Sequence, residues 1–106
     1  MTETDRQIAE QFREELRKAH VPVDRFVVFG SRARGDAEQY SDLDVLLVVA
    51  GPRESMRRRI SHCAWKVGFE HAVLICPVVL TRDEFENSPV RYSNVVEAAL
   101  EEGIAF

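Results

Sequence analysis

Two aspartates flank a single leucine in Asp42-Leu43-Asp44, and the run that follows, Val45 to Val49, is wholly apolar. Side chains alternate between faces along a β-strand, so both carboxylates point the same way, with Cα atoms about 7 Å apart. Acidic residues are disfavoured in strands, and a carboxylate pair is costly unless a cation neutralises it. The usual solution is Mg²⁺ held by one or two carboxylates together with substrate phosphates. Upstream, Gly30-Ser31 directly follows the apolar run Phe26 to Phe29. A glycine after a strand and a serine opening the next element let backbone N–H groups and a hydroxyl come close to a phosphate. Arg32 and Arg34, in the same glycine-bounded loop, are natural cationic partners for phosphate oxygens.

The elements that must hold these groups can be read from periodicity. Ile8, Ala9, Phe12, Leu16 and Ala19 recur at spacings of three and four, which predicts a helix over about 4–19, with Thr4-x-x-Gln7 as a capping box. Residues 25–29 form a short buried strand ending at Gly30, and a turn or short helix begins at Ser31. Residues 42–49 are apolar on both faces beyond their first positions and should be central in a sheet. Gly51-Pro52 opens a helix whose buried stripe is Met56, Ile60, Cys63, Ala64 and Val67, with Gly68 as its stop. Residues 72–80 make a third strand, and the internal Pro77 suggests an edge or a bulge. Thr81-x-x-Glu84 caps a short helix around Phe85, and Ser88-Pro89 starts a last helix carrying Tyr92, Val95, Val96, Ala99 and Leu100. The expected order is α-β-β-α-β-α in one domain, 1–106.

With Gly30-Ser31, ten intervening residues and Asp42-Leu43-Asp44, the chain resembles the nucleotidyltransferase superfamily that includes polymerase β. The string from Gly30 through Ala37, followed by Ser41-Asp42-Leu43-Asp44, is most similar to the minimal nucleotidyltransferases of bacteria and archaea. The resemblance implies an α/β (α+β) fold, a small mixed sheet flanked by helices. It implies two Mg²⁺ ions and transfer of a nucleoside monophosphate, AMP from ATP or another nucleotide from its triphosphate, to a macromolecular hydroxyl. Asp42 and Asp44 would be catalytic and metal-binding, and Gly30, Ser31, Arg32 and Arg34 nucleotide-binding. Minimal members often act as antitoxins that bind a HEPN-domain toxin and add AMP to a tyrosine, so a HEPN-type protein partner is implied too. The family's third carboxylate lies on the strand after the middle helix, a register that falls here near Cys76-Pro77, where no acid stands. Glu70, just before that strand, is the nearest acidic candidate. A competing class therefore stays open: a degenerate module that binds nucleotide or caps a partner.

Composition narrows the field. Fourteen basic against eighteen acidic residues leave a net charge of -4, against tight non-specific binding to a phosphate backbone. The polar, acidic start lacks the order of a signal peptide, and no apolar run nears the roughly 18 residues that span a bilayer. These features lead us to expect a cytoplasmic location. Cys63 and Cys76 read as reduced core thiols, and with His62 and His71 they lack paired zinc-ligand spacing. Arg57-Arg58-Arg59 spans too much of a helix surface to form one stripe and reads as solvated face, with a partner surface as the lesser alternative. Trp65 and Phe69 read as core or interface residues rather than a base-stacking platform.

Overall fold

A strand with two apolar faces must be covered on both, and a computed structural model of the chain, describing residues 1–38 and 40–106, places Leu43–Val49 (β2) inside a four-stranded sheet. Its neighbours are β1, Val23–Phe29, antiparallel to it, and β3, Ile75–Thr81, parallel to it. A two-residue strand, β4 (Ile104–Ala105), pairs antiparallel with the other side of β1. The order is β3-β2-β1-β4, so the strand carrying Pro77 is an edge strand, as a residue without an N–H requires.

Helices cover the two faces separately. Leu43, Val45, Leu47 and Val49 point into a cluster with Ile8, Phe12 and Leu16 of α1 (Glu3–Lys18) and Met56, Ile60 and Val67 of α3 (Arg53–His71). The alternate residues Leu46 and Val48 pack with Phe85 of α4 (Arg82–Asn87) and with Val96 and Ala99 of α5 (Asn94–Glu102). A five-residue helix, α2 (Gly30–Arg34), connects β1 toward β2, and a 3₁₀ turn, Pro89–Tyr92, lies between α4 and α5.

Several boundaries differ from expectation. The α1 cap is Thr2, whose hydroxyl accepts from the Asp5 N–H at 3.0 Å, and Thr4 lies inside the helix. Gly68 does not end α3: the helix runs on to His71 and closes at Ala72, whose φ is +53°. A side chain at Gly68 would collide with the Val73 carbonyl, so this glycine is required by the close return of the chain toward β3. The last predicted helix is interrupted at Ser93, whose hydroxyl caps α5 by accepting from the Val96 N–H at 3.4 Å. Val96 and Ala99 are buried as foreseen, whereas Tyr92, Val95 and Leu100 are exposed. The capping box at Thr81 and Glu84 forms as expected. No helix among the described residues is long and apolar enough to cross a membrane.

Candidate active site

The β2 entrance fixes the acidic pair. Leu43 is fully buried toward α1 and α3, and its N–H is tied to the Leu74 carbonyl at 2.9 Å. With the leucine pinned inward, Asp42 and Asp44 emerge together on the opposite face, at the end of the sheet where β1 finishes and β3 begins. Asp44 lies across from Phe29 on one side and Cys76 on the other.

Gly30 continues directly from Phe29, and two observations explain why it is a glycine. Its φ is +76°, and a Cβ built on it would stand 2.5 Å from an Asp44 carboxylate oxygen. The backbone of the glycine loop is thus packed on the carboxylate itself. Ser31 follows in the first turn of α2, and its carbonyl accepts the N–H groups of Gly35 (3.0 Å) and Asp36 (3.1 Å), which closes the loop.

The electrostatics of the pair match this crowding. Partial burial, and then the charge of Asp42, raise the Asp44 carboxyl above the ordinary carboxylate range, while Arg34 pulls it back. The charge of Arg34 is thus felt at the site. Its side chain is half-exposed and bridges Asp36 (3.3 Å) and Glu102 at the end of α5 (3.4 Å).

Arg32, expected to bind nucleotide as well, turns the other way. Its guanidinium pairs with the nearly buried Asp5 at 2.6 Å and donates to the Ser41 carbonyl at 2.8 Å, fastening α1 and the approach to β2. Removing one partner of such a pair strands the other charge. Arg32→Met is therefore expected to cost about 3–5 kcal/mol of folding stability. Urea denaturation of the two proteins measures it, and a difference below about 0.5 kcal/mol, the scale of an ordinary surface change, would contradict this assignment.

Glu70 is not brought to the aspartates. It lies in the last turn of α3, in the layer on the opposite face of the sheet, and its carboxylate accepts from the Gln11 side chain of α1 at 2.7 Å. The side chain that does stand beside the acidic pair is Cys76, whose Sγ is 3.5 Å from an Asp42 carboxylate oxygen. The thiol is half-buried rather than a core thiol, and burial, followed by the charge and hydrogen bond of Asp42 and the charge of Asp44, raises its pKa. Cys63 is buried as expected.

Two carboxylates that repel one another suit a hard cation with several oxygen ligands, and Asp42 and Asp44 fit that requirement. Cys76 fits it poorly, because a neutral thiol is a weak ligand for a hard ion. Among the described residues, no group of three or more His, Cys, Asp or Glu side chains is arranged to hold a metal. Glu102 was not foreseen as a neighbour of the site; only the folding of α5 and β4 back onto β1 places it beside Arg34.

Known proteins agree with this architecture. Residues 9–105 match the family model described as a nucleotidyltransferase domain. A Methanocaldococcus jannaschii protein, provisionally named a protein adenylyltransferase, is 34% identical over 73 residues, covering 61% of this chain and 74% of that protein. A crystal structure of a provisionally assigned nucleotidyltransferase from Sulfolobus solfataricus superposes with a TM-score of 0.53 at 21% identity, over 94% of this chain and 77% of that one, a likeness of fold. Matched over nearly its whole length, the chain belongs to the nucleotidyltransferase domain family.

Proposed function

We propose that this nucleotidyltransferase is Mg²⁺-dependent and moves AMP from ATP to a hydroxyl of a macromolecule, with Asp42 and Asp44 as the metal-binding and catalytic acids. The observation that carries the reading is the packing of the Gly30 backbone on the Asp44 carboxylate, which puts a phosphate-sized turn and a hard-cation ligand at one point. Gly30 and Ser31 hold the triphosphate, and Arg34, released from Glu102 and Asp36, neutralises it. Arg32 serves by holding the loop in place. Bound Mg²⁺ would supply charge neutralisation for the triphosphate and its leaving pyrophosphate.

In the reaction the acceptor oxygen bonds to the α-phosphorus as the bond to the β-phosphate oxygen breaks. Pyrophosphate leaves, and the hydroxyl proton passes to a carboxylate or to solvent. The likeness to the M. jannaschii protein supports adenylyl transfer to protein, and resemblance to minimal nucleotidyltransferases supports a HEPN-type toxin as the acceptor, with the chain as its antitoxin. A cytoplasmic setting goes with that role.

Cys76 favours a second reading within the same family. A protonated thiol in place of a third carboxylate leaves the acceptor without a nearby strong base, so the chain binds nucleotide and transfers it slowly, capping its partner instead.

Both readings require metal and triphosphate to bind together, since the acidic pair and the phosphate turn are each unbalanced alone. Calorimetry of ATP with and without Mg²⁺ tests this. Asp44→Asn should weaken the coupled binding by roughly tenfold, the scale of one charged ligand contact. The same variant should melt at a slightly higher temperature without ligand, because a carboxylate whose pKa is raised opposes folding in its charged form. That gain is present at neutral pH and vanishes as pH falls through the Asp44 pKa, where wild type is protonated and neutral too. Equal ATP affinity with and without Mg²⁺ would refute the assignment.

A further inference from the structure

The side of α3 that faces away from α1 ends in an apolar surface open to solvent. Trp65, Phe69 and Leu74 are 65%, 74% and 64% exposed, and the two rings stack with centroids 5.2 Å apart and planes 18° from parallel. They wall a groove of about 550 Å³ between α3 and the outer edge of β3, floored by Gly68, Ile75 and Pro77. A second hollow of about 320 Å³ continues it through Ser61 and Pro77 to Arg53, Glu54 and Arg57. The groove is thus aromatic at one end and charged at the other, where Arg53 is paired with Glu84 at 3.1 Å and Arg57 offers its guanidinium. Isolated exposed apolar residues are ordinary, but contiguous ones rimmed by polar groups mark interaction surfaces.

The edge of β3 limits what can sit there. Pro77 has no N–H, the Val79 carbonyl takes the Arg53 guanidinium at 3.2 Å, and the Thr81 N–H is taken by Glu84 at 3.1 Å. A strand cannot extend the sheet against such an edge, so the occupant must meet side chains.

Arg57, Ser61, Trp65 and Phe69 form a ridge at a spacing of four along α3. Turned end for end about Ser61, the ridge sets Arg57 against Trp65 of a second copy and Arg53 against its Phe69, with the small serine at the crossing. A parallel arrangement would oppose arginine to arginine. Arg57 makes no hydrogen bond or ion pair among the described residues, so its guanidinium is available to stack on an indole. Antiparallel ridges of this spacing pack at a crossing angle of about −50°.

We propose that the chain forms a reversible, twofold-symmetric dimer through α3, the Trp65 of each protomer entering the other's α3–β3 groove beneath Arg57. The dimer leaves both Asp42-Asp44 sites open, because those aspartates lie on the opposite face of the sheet. A contact of one helix and one groove edge belongs to the small, transient class of interfaces, below about 1,200 Å² in total, so the dimer is reversible.

Trp65 is the chain's single tryptophan, so its emission reports burial of the groove directly. Sedimentation equilibrium and Trp65 fluorescence should be followed from about 1 µM to 1 mM, the range in which a weak, reversible dimer forms. The mass is expected to rise from 12.1 kDa toward twice that value, with emission shifting to the blue in parallel. Arg57→Glu and Trp65→Lys should each weaken the dimer at least about tenfold, and the double variant should recover part of that loss, because the new carboxylate of one protomer would then face the new ammonium of the other. In the two proteins that lack the tryptophan the mass alone is read, and circular dichroism checks that the fold is kept. A monomer at every concentration would overturn the proposal and leave the groove to a different protein. So would a dimer that both single variants leave intact, or a double variant no better than either single one.

Discussion

Cys76→Asp is expected to raise the rate of AMP transfer to a protein acceptor by about 10²–10⁴, the usual value of a well-placed carboxylate acting as base or metal ligand. Cys76 stands directly across from Asp44 in the β2–β3 ladder and touches Asp42, so a carboxylate there would join the pair. Wild type has a thiol at this point, and burial and the two aspartates keep it protonated and uncharged. It offers neither a hard oxygen to a cation nor a base to a hydroxyl. Three carboxylates at one spot repel, so the variant should be less stable than wild type in the absence of metal and recover when Mg²⁺ is added. Glu70→Gln should leave transfer unchanged, since Glu70 is engaged with Gln11 on the other face of the sheet. Labelled ATP with the acceptor present, alongside a thermal melt with and without Mg²⁺, measures both effects. Rapid wild-type transfer that Cys76→Asp does not improve would remove the second reading.

Gly30→Ala should lose about 10² or more in coupled Mg²⁺–ATP binding and transfer, as displacements near 1 Å at reacting groups do. Two costs act at this residue. Its φ of +76° lies in the left-handed region, where an alanine is strained by about 1–2 kcal/mol. The added methyl would also meet the Asp44 carboxylate oxygen at 2.5 Å, so the carboxylate or the loop must move. Gly35→Ala is the informative control. It shares the positive φ of +86° but its Cβ would find only the Met1 backbone nitrogen, at 3.8 Å. It should therefore lose stability by a similar amount and keep most of its nucleotide affinity. Equal losses of affinity in the two variants would show that strain alone, not displacement of Asp44, controls the site.

The parts of this protein legible in the sequence are those governed by local periodicity. The alternation through Asp42-Leu43-Asp44 settled that both carboxylates share a face, because a buried leucine between them leaves no other arrangement. The doubly apolar run after it called for a central strand, and a proline in Ile75–Thr81 suggested an edge or a bulge, of which the structure shows the edge. The position near Cys76 came from the resemblance to nucleotidyltransferases, and the parallel pairing of β2 with β3 sets Cys76 across from Asp44. Tertiary structure decided what spacing cannot express. Arg32 and Arg34 sit two apart in one short helix and look equivalent in sequence, yet the buried Asp5 of a distant helix claims the first and leaves the second to the site. Gly68 resembles a helix stop until the returning Val73 carbonyl is seen against it. Ile104–Ala105 is too short to carry a pattern and becomes a strand only because β1 presents a free edge. Glu70 lies only a few residues before β3 and still belongs to the opposite layer, since the helix that carries it packs beside α1 on the face of β2 away from the aspartates. In each case the deciding partner is remote in the chain, and a contact between remote segments exists only after the sheet has brought them together.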